Sequence, residues 1–205
     1  MENYILYLLY IQKKLDKYFE DQKPYIRCAK GCSKCCEHGD FPYKRIEMEY
    51  LLLGFSMLPL EQRQIICDKI ERLKQEKINS KTENFVHECP FLINNSCSVY
   101  DFRGMICRSF GLMTLRENKK PQIPFCAFEG LNYAEVLDAE TKTISSEKFE
   151  KLGIEIEPLA YNTGYKALTS EIYENAFLFK FGELKPMIDW FIDDSNSSTQ
   201  EKVEG

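Results

Sequence analysis

The chain has 205 residues, 44% of them hydrophobic, with nine cysteines and a single Trp. That length suits one domain with a full core, so disulfides are not needed to replace a missing one. A formal charge of -5 and a pI near 5.3 exclude a globally basic nucleic-acid binder.

The first element reads MENYILYLLYIQKKLDKYFEDQ, and its apolar run covers Tyr4 to Ile11. No basic segment precedes this run and no small-residue cleavage site follows it, so it does not read as a signal peptide. It is far short of the ~20 apolar residues of a membrane-spanning helix. Ile5, Leu8, Leu15 and Tyr18 fall roughly on one face, which predicts a core-packing helix. Residues 46–55 predict a short buried helix ending near Gly54. Residues 59–78 predict an amphipathic helix opened by Pro59, with Ile66, Ile70, Leu73 and Lys77 at helical spacing. Residues 80–88 read as a polar loop, and 89–126 as a loop-rich stretch that something must pin. Residues 132–145 predict a hairpin turning at Asp138 to Thr141. Helices are expected over 146–152, 166–181 and 184–192, and a polar, disordered tail over 193–205. The expected fold is mainly α: a single domain over residues 1–192, with a loop-rich, metal-pinned cysteine centre and one short β-hairpin.

The cysteines carry the chemistry. Cys28, Cys32, Cys35 and Cys36 form the pattern CxxxCxxCC. Cys89, Cys97, Cys107 and Cys126 make a second group of four in the loop-rich stretch. The absence of an export signal predicts a reducing cytoplasm, where thiolate ligands are favoured over structural disulfides. Thiolates select zinc, iron or an iron–sulfur cluster. Side chains of adjacent cysteines diverge, so Cys35 and Cys36 suggest two nearby centres, a bridging sulfur, or one ligand beside one non-ligand. Eight sulfurs suit two four-coordinate zinc ions or one multinuclear cluster. Four thiolates on one divalent ion leave a net charge of about -2. Arg27, Lys30, Lys34, Arg103 and Arg108 lie close enough in sequence to offset it.

CAKGCSKCC, then CPFL with Cys97, Val99 and Tyr100, then Arg103 and CRSF, together resemble the YkgJ-type cysteine-cluster family. The resemblance covers residues 28–126 and implies a zinc- or iron-chelating domain. Gly104 departs from it, since the family usually has Pro after the Arg. Flagellin lysine methylases carry a similar cluster, so the resemblance also raises a methyltransferase-like or redox enzyme. No glycine-rich loop between a strand and a helix marks a cofactor site. CxxxCxxC is also the motif of radical S-adenosylmethionine enzymes, but two successive helices over 46–78 do not suit their partial barrel. A structural-zinc module that displays a protein-binding surface is the third class.

The remaining candidates have ordinary explanations. Cys67 reads as a small buried hydrophobe on a helix. His38 and His87 read as outer-sphere or surface residues, and Tyr100, Phe102 and Phe110 as packing around a metal loop. No catalytic triad or acid–base pair stands out. The sequence therefore predicts a cytoplasmic metal-binding protein, with the eight cysteines as ligands and zinc or iron, including an iron–sulfur cluster, as cofactor. A metal ion is its expected partner, with no nucleic acid and no membrane span; no protein partner is legible.

Overall fold

A computed structural model describes residues 1–192 apart from 30, 40, 81, 83 and 84. The tail expected over 193–205 lies outside the described residues. In chain order the helices are α1 (Glu2–Asp21), α2 (Lys34–Glu37), α3 (Arg45–Ser56), α4 (Leu60–Asn79), α5 (Met105–Ser109), α6 (Ser146–Leu152), α7 (Tyr165–Leu168) and α8 (Glu171–Phe177). The strands are β1 (Pro42–Lys44), β2 (Leu92–Ile93), β3 (Ser96–Cys97), β4 (Thr114–Leu115), β5 (Pro121–Gln122), β6 (Leu137–Asp138), β7 (Thr143–Ile144) and β8 (Leu184–Pro186). The protein is mainly α, and its strands form only two-stranded antiparallel ladders: β1–β8, β2–β3, β4–β5 and β6–β7. This is not the alternating strand–helix order of a partial barrel. Among the described residues no helix is long and apolar enough to cross a membrane. The chain groups into two compact units: Met1–Lys30 with Met105–Phe179, and Gly31–Gly104 with the chain from Lys180 onward.

The first unit is built on α1. Its inner face buries Tyr4, Tyr7, Leu8, Ile11 and Leu15, each contributing roughly 1.5–3 kcal/mol. The Tyr7 ring sits 5.2 Å from Tyr173, 5.6 Å from Phe177 and 5.4 Å from Phe179, which holds α8 against α1. The Tyr7 hydroxyl donates to the Leu168 carbonyl, so the polar end of a fully buried ring is satisfied. A second cluster joins Tyr25, Met113, Tyr133 and Val136. The Tyr25 and Tyr133 rings stack at 5.7 Å, and the Tyr133 amide donates to the Tyr25 carbonyl at 2.9 Å.

The second unit closes on an antiparallel ladder with Tyr43 opposite Lys185. Bonds from Met187 N–H to Phe41 O (3.0 Å) and Ile46 N–H to Phe181 O (3.2 Å) extend it at both ends. The Trp190 indole donates to Tyr43 O at 3.1 Å. Met48 and Leu51 of α3, Ile66 and Leu73 of α4, Phe91, Phe181 and Ile188 form the core. Gly104 is buried against the Tyr43 ring; a Cβ there would fall 2.7 Å from a ring carbon and 3.0 Å from a Glu47 carboxylate oxygen. Glycine at this position is thus a steric requirement of the turn before α5.

Four expectations are corrected. Ile5 is exposed on α1, because the buried stripe runs through Tyr4, Tyr7, Leu8 and Ile11 instead. Cys67 is exposed on α4, one residue and hence about 100° round from buried Ile66. The helix expected over 166–181 breaks at Thr169 and Ser170, where Ser170 turns extended (φ -80°, ψ 156°) and starts α8. The helix expected over 184–192 opens instead as strand β8. Pro186 has no N–H to give a helix and biases Lys185 toward extended backbone. Gly104→Ala is expected to cost about 1–3 kcal/mol through overpacking against Tyr43, read as a lower midpoint in urea unfolding with unchanged slope.

Candidate metal centre

In the second unit, Cys35 and Cys36 lie on the four-residue α2. Ser33 Oγ donates to Glu37 Oε1 at 2.7 Å and Lys34 Nζ reaches Glu37 Oε2 at 2.9 Å, so the single turn is tied along its outer side. The two sulfurs converge to 3.9 Å. A tetrahedral site with metal–sulfur bonds of about 2.3 Å has an edge of about 3.8 Å. The divergence expected of adjacent side chains is therefore not what this turn produces.

The chain around Cys89 is zipped onto the same segment. Cys89 N–H donates to Cys36 O at 2.7 Å and Gly39 N–H to His87 O at 3.0 Å. Lys69 of α4 clamps the approach, with its ammonium 2.6 Å from Leu92 O and 2.8 Å from Glu88 Oε1. Cys97 is placed by a hairpin whose two-residue turn, Asn94 and Asn95, has positive φ at both positions (50° and 57°). That is a type I′ turn, for which asparagine suits the left-handed backbone. Ser98 then bonds Phe91 O through both its amide (2.9 Å) and its hydroxyl (2.9 Å), which fixes the base of the hairpin.

Arg103 supplies the local positive charge. Its Nε donates to Tyr100 O at 2.7 Å, and its guanidinium stacks 3.4 Å from the Tyr100 ring centroid. The Cys35 thiol is lowered to about 7, chiefly by the hydrogen bond from Cys36 and then by the Arg103 cation, against the opposing effect of burial. Burial pushes the Cys97 thiol up, with Arg103 pulling the other way and Cys35 adding to the rise. Cys32 belongs to this unit and is exposed.

The first unit holds Cys28, Cys107 and Cys126. Cys28 is exposed, Cys107 half-buried on α5 and Cys126 buried in the 3-10 turn Phe125–Glu129. Fully buried Asn132 holds Cys28. Its Nδ2 donates to Cys28 Sγ at 3.1 Å and to Gly111 O at 2.9 Å, while its Oδ1 accepts from Arg27 N–H at 2.7 Å. Gly111 has φ +100°, and a Cβ there would lie 2.8 Å from Cys28 Sγ, so only glycine admits the sulfur. Burial raises the Tyr133 phenol, and Cys28 and Cys126 add to the rise; this places both thiols in its electrostatic reach.

The other expected participants divide. Arg108 Nη1 donates to Gln12 Oε1 at 2.7 Å, and Arg27 pairs with Glu135 at 2.9 Å. Lys34 serves Glu37, and Lys30 lies outside the described residues. His38 is exposed at the end of α2. His87 is buried, with Nδ1 2.8 Å from Glu88 O and its ring 5.3 Å from Phe85. Tyr100 is exposed beneath Arg103, Phe102 packs on Tyr50 at 5.0 Å, and Phe110 on Phe125 at 5.2 Å. Asn132, Gly111 and the Asn94–Asn95 turn were not singled out in the sequence. The Asn-Asn pair between Ile93 and Ser96 was a legible turn signal; the role of Asn132 had none.

Among the described residues no three His, Cys, Asp or Glu side chains stand together closely enough to hold a metal ion. The sulfur pair at Cys35–Cys36 matches one edge of a thiolate site, and a complete cage is not preformed. No family model, curated protein or solved structure matches the chain.

The Cys35 shift sets an order of reactivity in metal-free, reduced protein. The thiolate fraction at Cys35 rises through about pH 7, so its alkylation by iodoacetamide should climb with a midpoint there and level off above it. Cys97, shifted the opposite way, should react at higher pH only. Peptide mass mapping of a pH series reads this directly; equal midpoints at the two cysteines would contradict it.

Proposed function

We propose that this protein binds zinc or iron through cysteine thiolates, with Cys35, Cys36, Cys89 and Cys97 as one ligand set. The observation that carries the reading is the 3.9 Å approach of the Cys35 and Cys36 sulfurs on α2. The backbone bond that seats Cys89 on Cys36, the hairpin that presents Cys97 and the Arg103 cation all support it. Cys28, Cys107 and Cys126 are a second thiolate group, supported by the N–H···S bond from Asn132. Cys32 completes the eight. This is the chemistry that the cysteine-cluster resemblance implies. Because the sulfurs are paired rather than caged, metal uptake draws Cys89 and Cys97 inward, and binding free energy becomes local folding free energy.

The test is anaerobic purification, reconstitution with zinc or with iron and sulfide, and metal analysis with a visible spectrum. Iron–sulfur loading gives brown absorbance and zinc gives none. Cys36→Ser and Cys97→Ser are each expected to lose the ion of this set and to melt at lower temperature than loaded wild type. Cys67→Ser, on the exposed face of α4, is expected to keep full metal content. Wild type that takes up no metal, or Cys36→Ser and Cys97→Ser proteins that stay fully loaded, would overturn the proposal.

A further inference from the structure

The outer face of α1 is apolar where a surface helix is ordinarily polar. Its inner stripe runs through Tyr4, Leu8, Ile11 and Leu15. Opposite lie Glu2, Leu6, Leu9 and Lys13, spaced four, three and four residues apart and therefore in one line. Leu6 is 57% and Leu9 65% exposed, and Ile5 and Tyr10 flank them with 36% and 51% exposure. Ile172 of α8 and Leu178 just beyond it extend the exposed apolar surface beside α1. Exposed apolar surface of this extent on a helix marks an interaction face.

The order of residues along that line identifies the occupant. A twofold axis crossing the outer face at the level of Tyr7 and Leu8 sets Glu2 against Lys13 and Leu6 against Leu9, with Ile5 and Tyr10 level with each other on the two edges. The stripe is therefore complementary to itself when run antiparallel, with an apolar centre and one opposite-charge pair at each end. Self-complementarity about a twofold axis is the defining property of an isologous dimer interface. Among the described residues neither Glu2 nor Lys13 has an ion-pair partner in its own chain. Antiparallel packing also opposes the two helix dipoles, which is favourable. A membrane surface fits less well: α1 carries four acidic residues (Glu2, Asp16, Glu20, Asp21) against three basic ones (Lys13, Lys14, Lys17), whereas helices that lie on anionic lipid carry an excess of Lys and Arg.

We infer that the protein forms a twofold homodimer through antiparallel pairing of the outer faces of α1, with Leu6 and Leu9 at its centre and a Glu2–Lys13 pair at each end. The interface uses no cysteine and stands independently of metal binding.

Sedimentation equilibrium over a concentration series tests this, with and without a chelator. Wild type is expected to reach twice the 24.1 kDa chain mass in both conditions. Leu9→Glu, at an exposed position, is expected to be a folded monomer by circular dichroism. Glu2→Lys and Lys13→Glu are each expected to weaken association by roughly tenfold or more, because both ends acquire like charges. The double variant Glu2→Lys/Lys13→Glu restores opposite pairs at both ends and is expected to recover wild-type association. Recovery in the double variant separates pairing from any effect of the single variants on folding. Three results would overturn the inference: a monomer at every concentration, a dimer that dissociates on chelation, or charge-swapped singles that associate as wild type. Monomeric protein that floats with vesicles of anionic phospholipid would also overturn it, in favour of a lipid-facing helix.

Discussion

A backbone hydrogen bond, Cys89 N–H to Cys36 O at 2.7 Å, joins the CxxxCxxCC segment to the loop that carries the later cysteines. Most of the second unit's candidate chemistry depends on that junction. Without it the Cys35–Cys36 pair stands on a four-residue helix, far below the length at which a helix is stable alone. With it and the Gly39–His87 bond, the short helix is tied to the chain that leads into the β2–β3 hairpin. Lys69 secures the junction from α4 by bonding both Leu92 O and Glu88. An ordinary amphipathic helix thereby helps to position a loop that also buries Phe91, Leu92 and Val99.

The two cysteine groups are held by different physical means. Around Cys36, Cys89 and Cys97 the backbone does the holding, through ladder bonds and a tight turn, and a cation moderates the thiol charge. Around Cys28 the holding is done by one buried amide. Asn132 makes three bonds to two separate chain segments, at Arg27 and Cys28 and at Gly111. A buried amide so fully bonded is costly to replace, since each lost partner leaves an unsatisfied polar group.

The long helices were legible because their buried residues recur with a period near 3.6, as Ile66, Ile70 and Leu73 do on α4. The hairpin at 137–144 and the short α6 were legible from turn residues and from Ser145, whose side chain accepts the Lys148 amide. α1 was legible as a helix but its faces were not, because apolar residues surround its first three turns and periodicity cannot orient such a stretch. Pro186 argued for β8 in plain sight, yet the apolar residues after it suggested a helix. The spacing of the cysteines was legible. Their partition was not, since which sulfurs share a unit depends on pairings such as Cys36 with Cys89 that lie far apart in sequence. Asn132 illustrates the limit most clearly: nothing local distinguishes an asparagine that bonds two distant segments from one on the surface.

The β1–β8 ladder also governs the order of events during synthesis. Tyr43 pairs with Lys185, about 140 residues later in the chain. Until that partner leaves the ribosome, β1 has an open edge and Tyr43 lacks both its strand neighbour and the Trp190 indole. The CxxxCxxCC segment emerges just ahead of β1, so its thiols wait on a nascent chain whose closing strand arrives much later. Closure of the second unit thus follows the making of a strand about 140 residues downstream of its partner, and for that interval its cysteines meet the solvent before they meet their fold.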